Sequence, residues 1–282
     1  MKVFKTVSDL RQAVRAERKA GKSIGLVPTM GALHEGHLTL VREGLKRADL
    51  VIATIFVNPT QFAPHEDFAA YPRTLEEDLR KLEGAGAYGA FCPVARDMYP
   101  EGFASSVQVR GVSEPLEGES RPHFFGGVAT VVTKVLMQAQ PDVALFGEKD
   151  YQQLQVIKRM VADLDMPVEI IGVPTVRDEN GLALSSRNAY LSPEQRVIAN
   201  ELNRILFAMA EAVAGGEDIA RVRQDGLRRV SEAGFDSVDY LEVRNAETLG
   251  PVQNGDEPKR ILAAVRMGQT RLIDNVPVVQ AA

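Results

Sequence analysis

Nine residues, Thr29-Met30-Gly31-Ala32-Leu33-His34-Glu35-Gly36-His37, set two histidines three apart and two glycines directly behind the apolar run 24–28. At a helix start, imidazoles with that spacing project to one side. They could hold a metal, grip a phosphate or close an ordinary surface turn. A zinc site needs a third and a fourth ligand of suitable type, yet the remaining histidines are His65 and His123 and no cysteine accompanies them. An anion suits the position better. Backbone N–H groups at a helix start point at a ligand, and the positive end of the helix dipole favours negative charge over imidazolium. Neutral imidazoles would then face a phosphate as N–H donors, and Gly31 and Gly36 would let the backbone approach where a Cβ would stand off. Phosphate binding is the preferred reading.

Such a turn needs a strand behind it and a helix ahead of it, because ligands of doubly wound sheets bind beyond the carboxyl ends of the strands. Short β-branched runs at 24–28, 50–57, 88–92, 143–146 and 168–173 read as strands. Between them, helical periods follow Ser8 as N-cap (9–20), run through 38–48, follow Thr74 and follow Asp150. Alternation of this kind predicts a doubly wound parallel α/β sheet. Beyond it the character changes: helical stretches 194–213 and 217–232 precede alternating runs at 237–245 and 260–268, the order of a smaller α+β domain. Asp178, Asn180 and Gly181 are turn formers that place the boundary between Val176 and Pro193. The expected division is 1–176 and 177–282.

Composition narrows the ligand. The 282 residues are 45% hydrophobic and 25% charged, with a formal net charge of −5. Nucleic-acid binders carry a basic surface that displaces counterions, so a bound phosphate should belong to a small molecule. The single Cys92 cannot close an internal disulfide, and the opening residues Met1-Lys2-Val3-Phe4-Lys5 begin no long apolar segment. No run approaches the ~20 apolar residues that span a bilayer. A cytoplasmic protein without membrane or nucleic-acid partners is expected.

His34-Glu35-Gly36-His37 resembles the HIGH signature of the nucleotidyltransferase superfamily, which includes class I aminoacyl-tRNA synthetases. Three further stretches sharpen the likeness: 56–62 (FVNPTQF), 146–157 (FGEKDYQQLQVI) and 184–188 (LSSRN). In this order the four blocks resemble the pantothenate synthetase (pantoate–β-alanine ligase) family over most of 24–192, while the C-terminal part carries no motif of comparable weight. The resemblance implies a Rossmann-like domain with a smaller C-terminal lid, a homodimer, and a two-step reaction. Pantoate would attack the α-phosphorus of ATP to give pantoyl adenylate and pyrophosphate; β-alanine would then displace AMP.

Carried onto this chain, the resemblance implies that the turn from Met30 through Gly31, Ala32, Leu33, His34, Glu35 and Gly36 to His37 contacts the nucleotide. His34 and His37 would act on the α-phosphate, with His37 as proton donor. Gly147 and Glu148 would admit the nucleotide, Lys149 would neutralise phosphate charge, and Asp150 would accept from ribose hydroxyls while capping a helix. Leu184, Ser185, Ser186 and Arg187 resemble the counterpart of a KMSKS loop, and the planar guanidinium of Arg suits phosphate oxygens. Val176 matches a position whose backbone contacts adenine. Gln61 and Gln153 match pantoate-binding positions, where a neutral amide can donate to the carboxylate and accept from a hydroxyl; a lysine there would pair with the nucleophile. Met30 and Phe62 would wall pantoate's gem-dimethyl group. Magnesium is expected with ATP, with Asp78 at a metal-proximal position.

One stretch departs from the family pattern. Arg121-Pro122-His123-Phe124-Phe125-Gly126-Gly127-Val128 displaces the histidine by one residue, so no catalytic role is carried to His123. Two other classes use the same motif: a nucleotidyltransferase that stops at the adenylylated or cytidylylated product, and a non-enzymatic nucleotide-sensing or RNA-binding module. The first needs no second acceptor pocket, and the acidic balance disfavours the second.

Overall fold

A computed structural model describes residues 1–62 and 68–279. Its elements follow in chain order: β1 (Lys2–Phe4), α1 (Val7–Lys19), β2 (Ile24–Thr29), α2 (Glu35–Leu45), β3 (Leu50–Ile55), α3 (Leu75–Gly84), β4 (Gly89–Phe91), α4 (Ala95–Met98), α5 (Glu117–Ser120), α6 (Phe124–Ala139), β5 (Val143–Gly147), α7 (Tyr151–Asp163) and β6 (Glu169–Val173). After them come α8 (Pro193–Ala214), α9 (Ile219–Ala233), β7 (Ser237–Asn245), β8 (Lys259–Met267) and β9 (Thr270–Val278). Contacts divide the chain into two units: Met1–Glu148 with Gln153–Pro174, and Lys149–Gln152 with the chain from Thr175 onward.

In the first unit six parallel strands lie in the order β1-β4-β3-β2-β5-β6. Strands buried on both faces need apolar side chains at every position, sent alternately to either side. β5 does this: Ala144 and Phe146 join a core with Leu10, Val128, Val132, Leu154 and Ile157, which lie on α1, α6 and α7. Val143 and Leu145 join a second core with Leu40, Val41 and Leu82 of α2 and α3. Helices therefore cover both faces, as the doubly wound reading expects.

Four features differ from the sequence expectation. The edge strand β1 and helix α6 were not expected, and α1 is capped by Thr6, whose side chain accepts the Asp9 N–H at 3.1 Å, rather than by Ser8. The cause at α1 is geometric: Thr6 keeps extended backbone while Ser8 already lies inside the helix. In the second unit α8 and α9 share a core with an antiparallel sheet ordered β7-β8-β9, of which β9 was not expected. Helix α8 opens on a capping box between Ser192 and Gln195 with Pro193 at its first position.

Candidate active site

Chain connections run from β2 to β3 on one side, while β5 adds on the other. That reversal opens a crevice past the carboxyl ends of β2 and β5, and the histidine turn leaves β2 there. Threonines begin to shape it. Thr29 Oγ1 donates to Thr54 O at 2.6 Å and accepts the Gly31 N–H at 3.2 Å. Gly31 has φ +87°, and a Cβ on it would sit 3.1 Å from both Asp78 Oδ2 and Ile55 Cγ2. Ala32 follows at φ +51°, a conformation that a non-glycine residue keeps only where its surroundings insist.

The insistence comes from α3. Asp78, 1% exposed, accepts the Ala32 N–H at 2.9 Å on Oδ2 and the Leu33 N–H at 2.8 Å on Oδ1. The Thr74 hydroxyl also donates to Oδ2, at 3.2 Å, and Lys81 Nζ donates to Leu33 O at 2.7 Å. Asp78, expected near a metal, here holds the turn through bonds from two backbone amides and one hydroxyl. Among the described residues no three His, Cys, Asp or Glu are grouped to hold a metal ion.

His34 is the N-cap of α2. Its backbone N–H donates to His37 Nδ1 at 3.3 Å, and the two rings lie 4.1 Å apart between centroids, tilted by 39°. A neutral His37 whose Nδ1 accepts must carry its proton on Nε2. Met30, Ala32 and Gly36 are half-buried, Leu33 is buried, and exposed Glu35 pairs with Arg42.

Gln61, 9% exposed, ends a short 3-10 turn after β3 that Asn58 caps. Asn58 is the residue that sequence reasoning missed, although an Asn directly before Pro59 was a legible turn signal. Its Oδ1 accepts from Tyr99 OH at 2.8 Å, Thr60 Oγ1 at 3.0 Å and Thr60 N at 3.3 Å. Its Nδ2 therefore donates, to Gln61 Oε1 at 3.0 Å and Gly127 O at 3.2 Å. Gln61 consequently has one acceptor lone pair used and its Nε2 donors directed away from Asn58. Burial raises the Tyr99 pKa against the opposing hydrogen bonds of Thr60 and Asn58, which keeps that hydroxyl a donor. Helix α6 reaches this turn only because Gly127 lacks a side chain: a Cβ would meet Thr60 O at 2.4 Å.

Phe62 packs against Phe68 and Tyr71, with centroids 5.3 and 5.9 Å away. Arg121 donates to Gln61 O at 3.1 Å and lies 4.0 Å over the Phe124 ring, whereas His123 is exposed at the α6 N-cap. Gln153 is half-buried on α7. At Gly147, the end of β5, a Cβ would meet no atom of the described residues within 4 Å, so their packing does not require glycine there. His65 lies outside the described residues.

The remaining expected residues belong to the second unit, Glu148 excepted. Lys149 and Asp150 complete a 3-10 turn with Glu148, and Lys149 Nζ stands 3.8 Å from Asp150 Oδ1. Val176 O accepts the Leu184 N–H at 3.0 Å, inside a hairpin that Asp178 closes by accepting from Asn180 N at 2.9 Å and Leu182 N at 3.0 Å. Ser185 caps the following turn, Ser186–Tyr190, by accepting the Arg187 N–H at 3.3 Å, which keeps its O–H as a donor. Ser186 and Arg187 are half-buried. The structure thus gathers the histidine turn, Gln61, Phe62 and Asp78 in one unit, and Lys149, Asp150, Val176 and residues 184–187 in the other.

A doubly wound parallel sheet with a His-x-Gly-His turn leaving its switch point defines an α/β protein whose candidate site lies past the carboxyl ends of its strands. The family model for pantoate-β-alanine ligase matches residues 2–277. A pantothenate synthetase of Paramagnetospirillum magneticum is 56% identical over 98% of this chain and 97% of its own. Pantothenate synthetase from Thermus thermophilus superposes with a TM-score of 0.93 at 47% identity, covering 99% of each chain. The pantoate-β-alanine ligase from Francisella tularensis, described as complexed with beta-gamma ATP and β-alanine, has a TM-score of 0.84 at 34% identity, covering 99% of this chain and 98% of that one. The chain belongs to the pantoate–β-alanine ligase family.

Proposed function

We propose that the chain condenses pantoate with β-alanine using ATP, and releases AMP and pyrophosphate by way of a pantoyl adenylate. One observation carries this most directly: the His34 N–H occupies His37 Nδ1, which leaves Nε2 as the donor of a neutral ring, in a half-buried turn at the sheet's switch point. In the first step a pantoate carboxylate oxygen bonds to the α-phosphorus, the bond to the β-phosphate bridge breaks, and pyrophosphate leaves. Donors fixed in advance stabilise the charge that gathers on the α-phosphate, the role assigned to His34 and His37. In the second, the amine of β-alanine bonds to the acyl carbon, loses a proton, and AMP departs with the former carboxylate oxygen.

Gln61 and Gln153 orient pantoate without neutralising its carboxylate, with Met30 and Phe62 against its methyl groups. Gly147 leaves room for the nucleotide beside Glu148; Lys149, Ser185, Ser186 and Arg187 take the phosphates, Asp150 the ribose, and the Val176 and Leu184 backbone the base. Magnesium comes with ATP on its phosphates. Asp78, 1% exposed and bonded to backbone amides, is read as shaping the turn near the ion rather than as its direct ligand, and no step is routed through the ion. The same reading assigns 1–176 to ATP and pantoate and 177–282 to a lid, in a cytoplasmic homodimer. It draws on the kinship with the Francisella tularensis ligase, described with both ATP and β-alanine. Incubating the protein with ATP and each acid alone, then both, tests it: AMP should accumulate only with both, and AMP production without β-alanine refutes the ligase step.

A further inference from the structure

A lysine acts as a point charge on a flexible stem, so its usefulness to a phosphate depends on how firmly its backbone is held. One residue remote in sequence bonds that of Lys149, and a second orients the first. Asn275 on β9, 4% exposed, donates from Nδ2 to Lys149 O at 2.8 Å. Its Oδ1 accepts from Arg260 Nε at 2.6 Å. Arg260, 6% exposed on the neighbouring strand β8, lays its guanidinium carbon 3.7 Å from the Tyr151 ring centroid. Tyr151 in turn donates from its hydroxyl to Ala246 O at 2.9 Å. An amide can face two ways, and arginine, which has only donors, settles the choice: Oδ1 toward Arg260 leaves the NH2 group toward Lys149. Burying an amide is unfavourable unless it is hydrogen-bonded, and this one puts a bond into the segment that carries the lysine.

We propose that Asn275, oriented by Arg260, is a positioning residue for Lys149, an inference that rests on the phosphate role given to Lys149 above. Asn275→Asp separates positioning from bulk and burial. A carboxylate keeps an acceptor for Arg260 but sets an oxygen against Lys149 O. Full-length Asn275→Asp, Lys149→Ala and the double variant should be compared with the wild-type chain for AMP release, with enzyme in excess so that residual single-turnover rates are measurable. The expected result is at least a tenfold fall in kcat for Asn275→Asp, a KM for β-alanine within twofold of wild type, and no further loss when the change is added to Lys149→Ala, since coupled residues are non-additive. Wild-type kcat in Asn275→Asp, or losses that multiply in the double variant, overturns the proposal. Should the aspartate variant not fold, Asn275→Ser replaces it, and a folded serine variant with wild-type kcat overturns the proposal equally. A wild-type chain that releases no AMP with both acids overturns the role of Lys149 itself, and is told apart by failing before any variant is compared.

Discussion

An imidazole donates to a phosphate oxygen only from a nitrogen that carries hydrogen, and in His37 the backbone N–H of His34 decides which one does. His37→Ala is therefore expected to slow adenylate formation by roughly 10²- to 10⁴-fold, while stability falls by about 1 kcal/mol for the lost helix-end acceptor. His37→Gln separates the two effects, because a glutamine oxygen can take the same N–H in a capping box. Stability should recover without the rate, and a rate that recovers in step would reduce His37 to a cap. Gln61 has a narrower task. Asn58 fixes its amide by bonding Oε1, so Gln61→Ala should raise KM for pantoate about tenfold, near the ~1.4 kcal/mol of one hydrogen bond to a charged group, and leave KM for ATP unchanged. Equal rises in both constants would contradict the assignment. Burial, aided by the charge of Asp78 and opposed by Lys5, pushes the Cys92 thiol up to about 11. As the thiolate is the nucleophile, alkylation at pH 8 should be at least tenfold slower in the folded protein than in denaturant.

At the scale of elements, α3 controls the site through one buried carboxylate. Asp78→Asn would point an amide N–H at backbone donors on one side, so a loss of about 2–3 kcal/mol and a thermal midpoint lower by several degrees are expected, with the magnesium dependence of the remaining activity unaltered. A shifted magnesium midpoint at unchanged stability would reinstate a metal role. Sequence periodicity could not have supplied this reading, since Glu76, Glu77 and Asp78 are chemically similar and only packing selects the one that turns inward. Strands β2, β3 and β5 were legible because buried parallel strands are apolar runs bounded by turn residues. Helix α6 was not, because Val128, Thr130, Val131, Val132 and Val135 carry strand propensity; burial on several sides, together with Gly127 against Thr60, overrides it. Strand β9 hid behind Asp274, Asn275 and Pro277, which interrupt its alternation. The histidine turn could be read from type and spacing alone, whereas the Asn275 contact to Lys149 spans 126 positions, a separation on which no local pattern reports.

For the molecule as a whole, the perturbed carboxylates among the described residues share one direction. The Lys22 hydrogen bond lowers Glu17, Lys46 lowers Glu43, the Ser23 backbone lowers Asp49, and Lys81 lowers Glu77. The terminal ammonium lowers Glu83, Ser192 lowers Glu194, Arg228 lowers Asp225 and Asn245 lowers Glu257. A folded-state pKa below the unfolded one contributes stability that is present above the unfolded value and lost as pH falls through the folded value. Lys2 runs oppositely: the Tyr88 hydrogen bond raises it, and its contribution is lost only in alkali, as pH passes its raised pKa. Most of these groups are exposed, with Glu17, Glu43 and Glu257 half-buried, and each pair is worth little, so the effect rests on their number and common sign. Protonating carboxylates also removes the counterweight to 33 Lys and Arg, and self-repulsion then adds to the loss. The thermal midpoint should accordingly stay level from about pH 8 to 6 and fall from about pH 5 downward, across the ordinary carboxylate range. Repeating the series in about 1 M salt, where the Debye length is about 3 Å, should flatten the fall by weakening the pairs that depress these pKa values. A midpoint that rises on acidification, or an acid limb that salt leaves untouched, would show that buried groups rather than these surface pairs govern stability against pH.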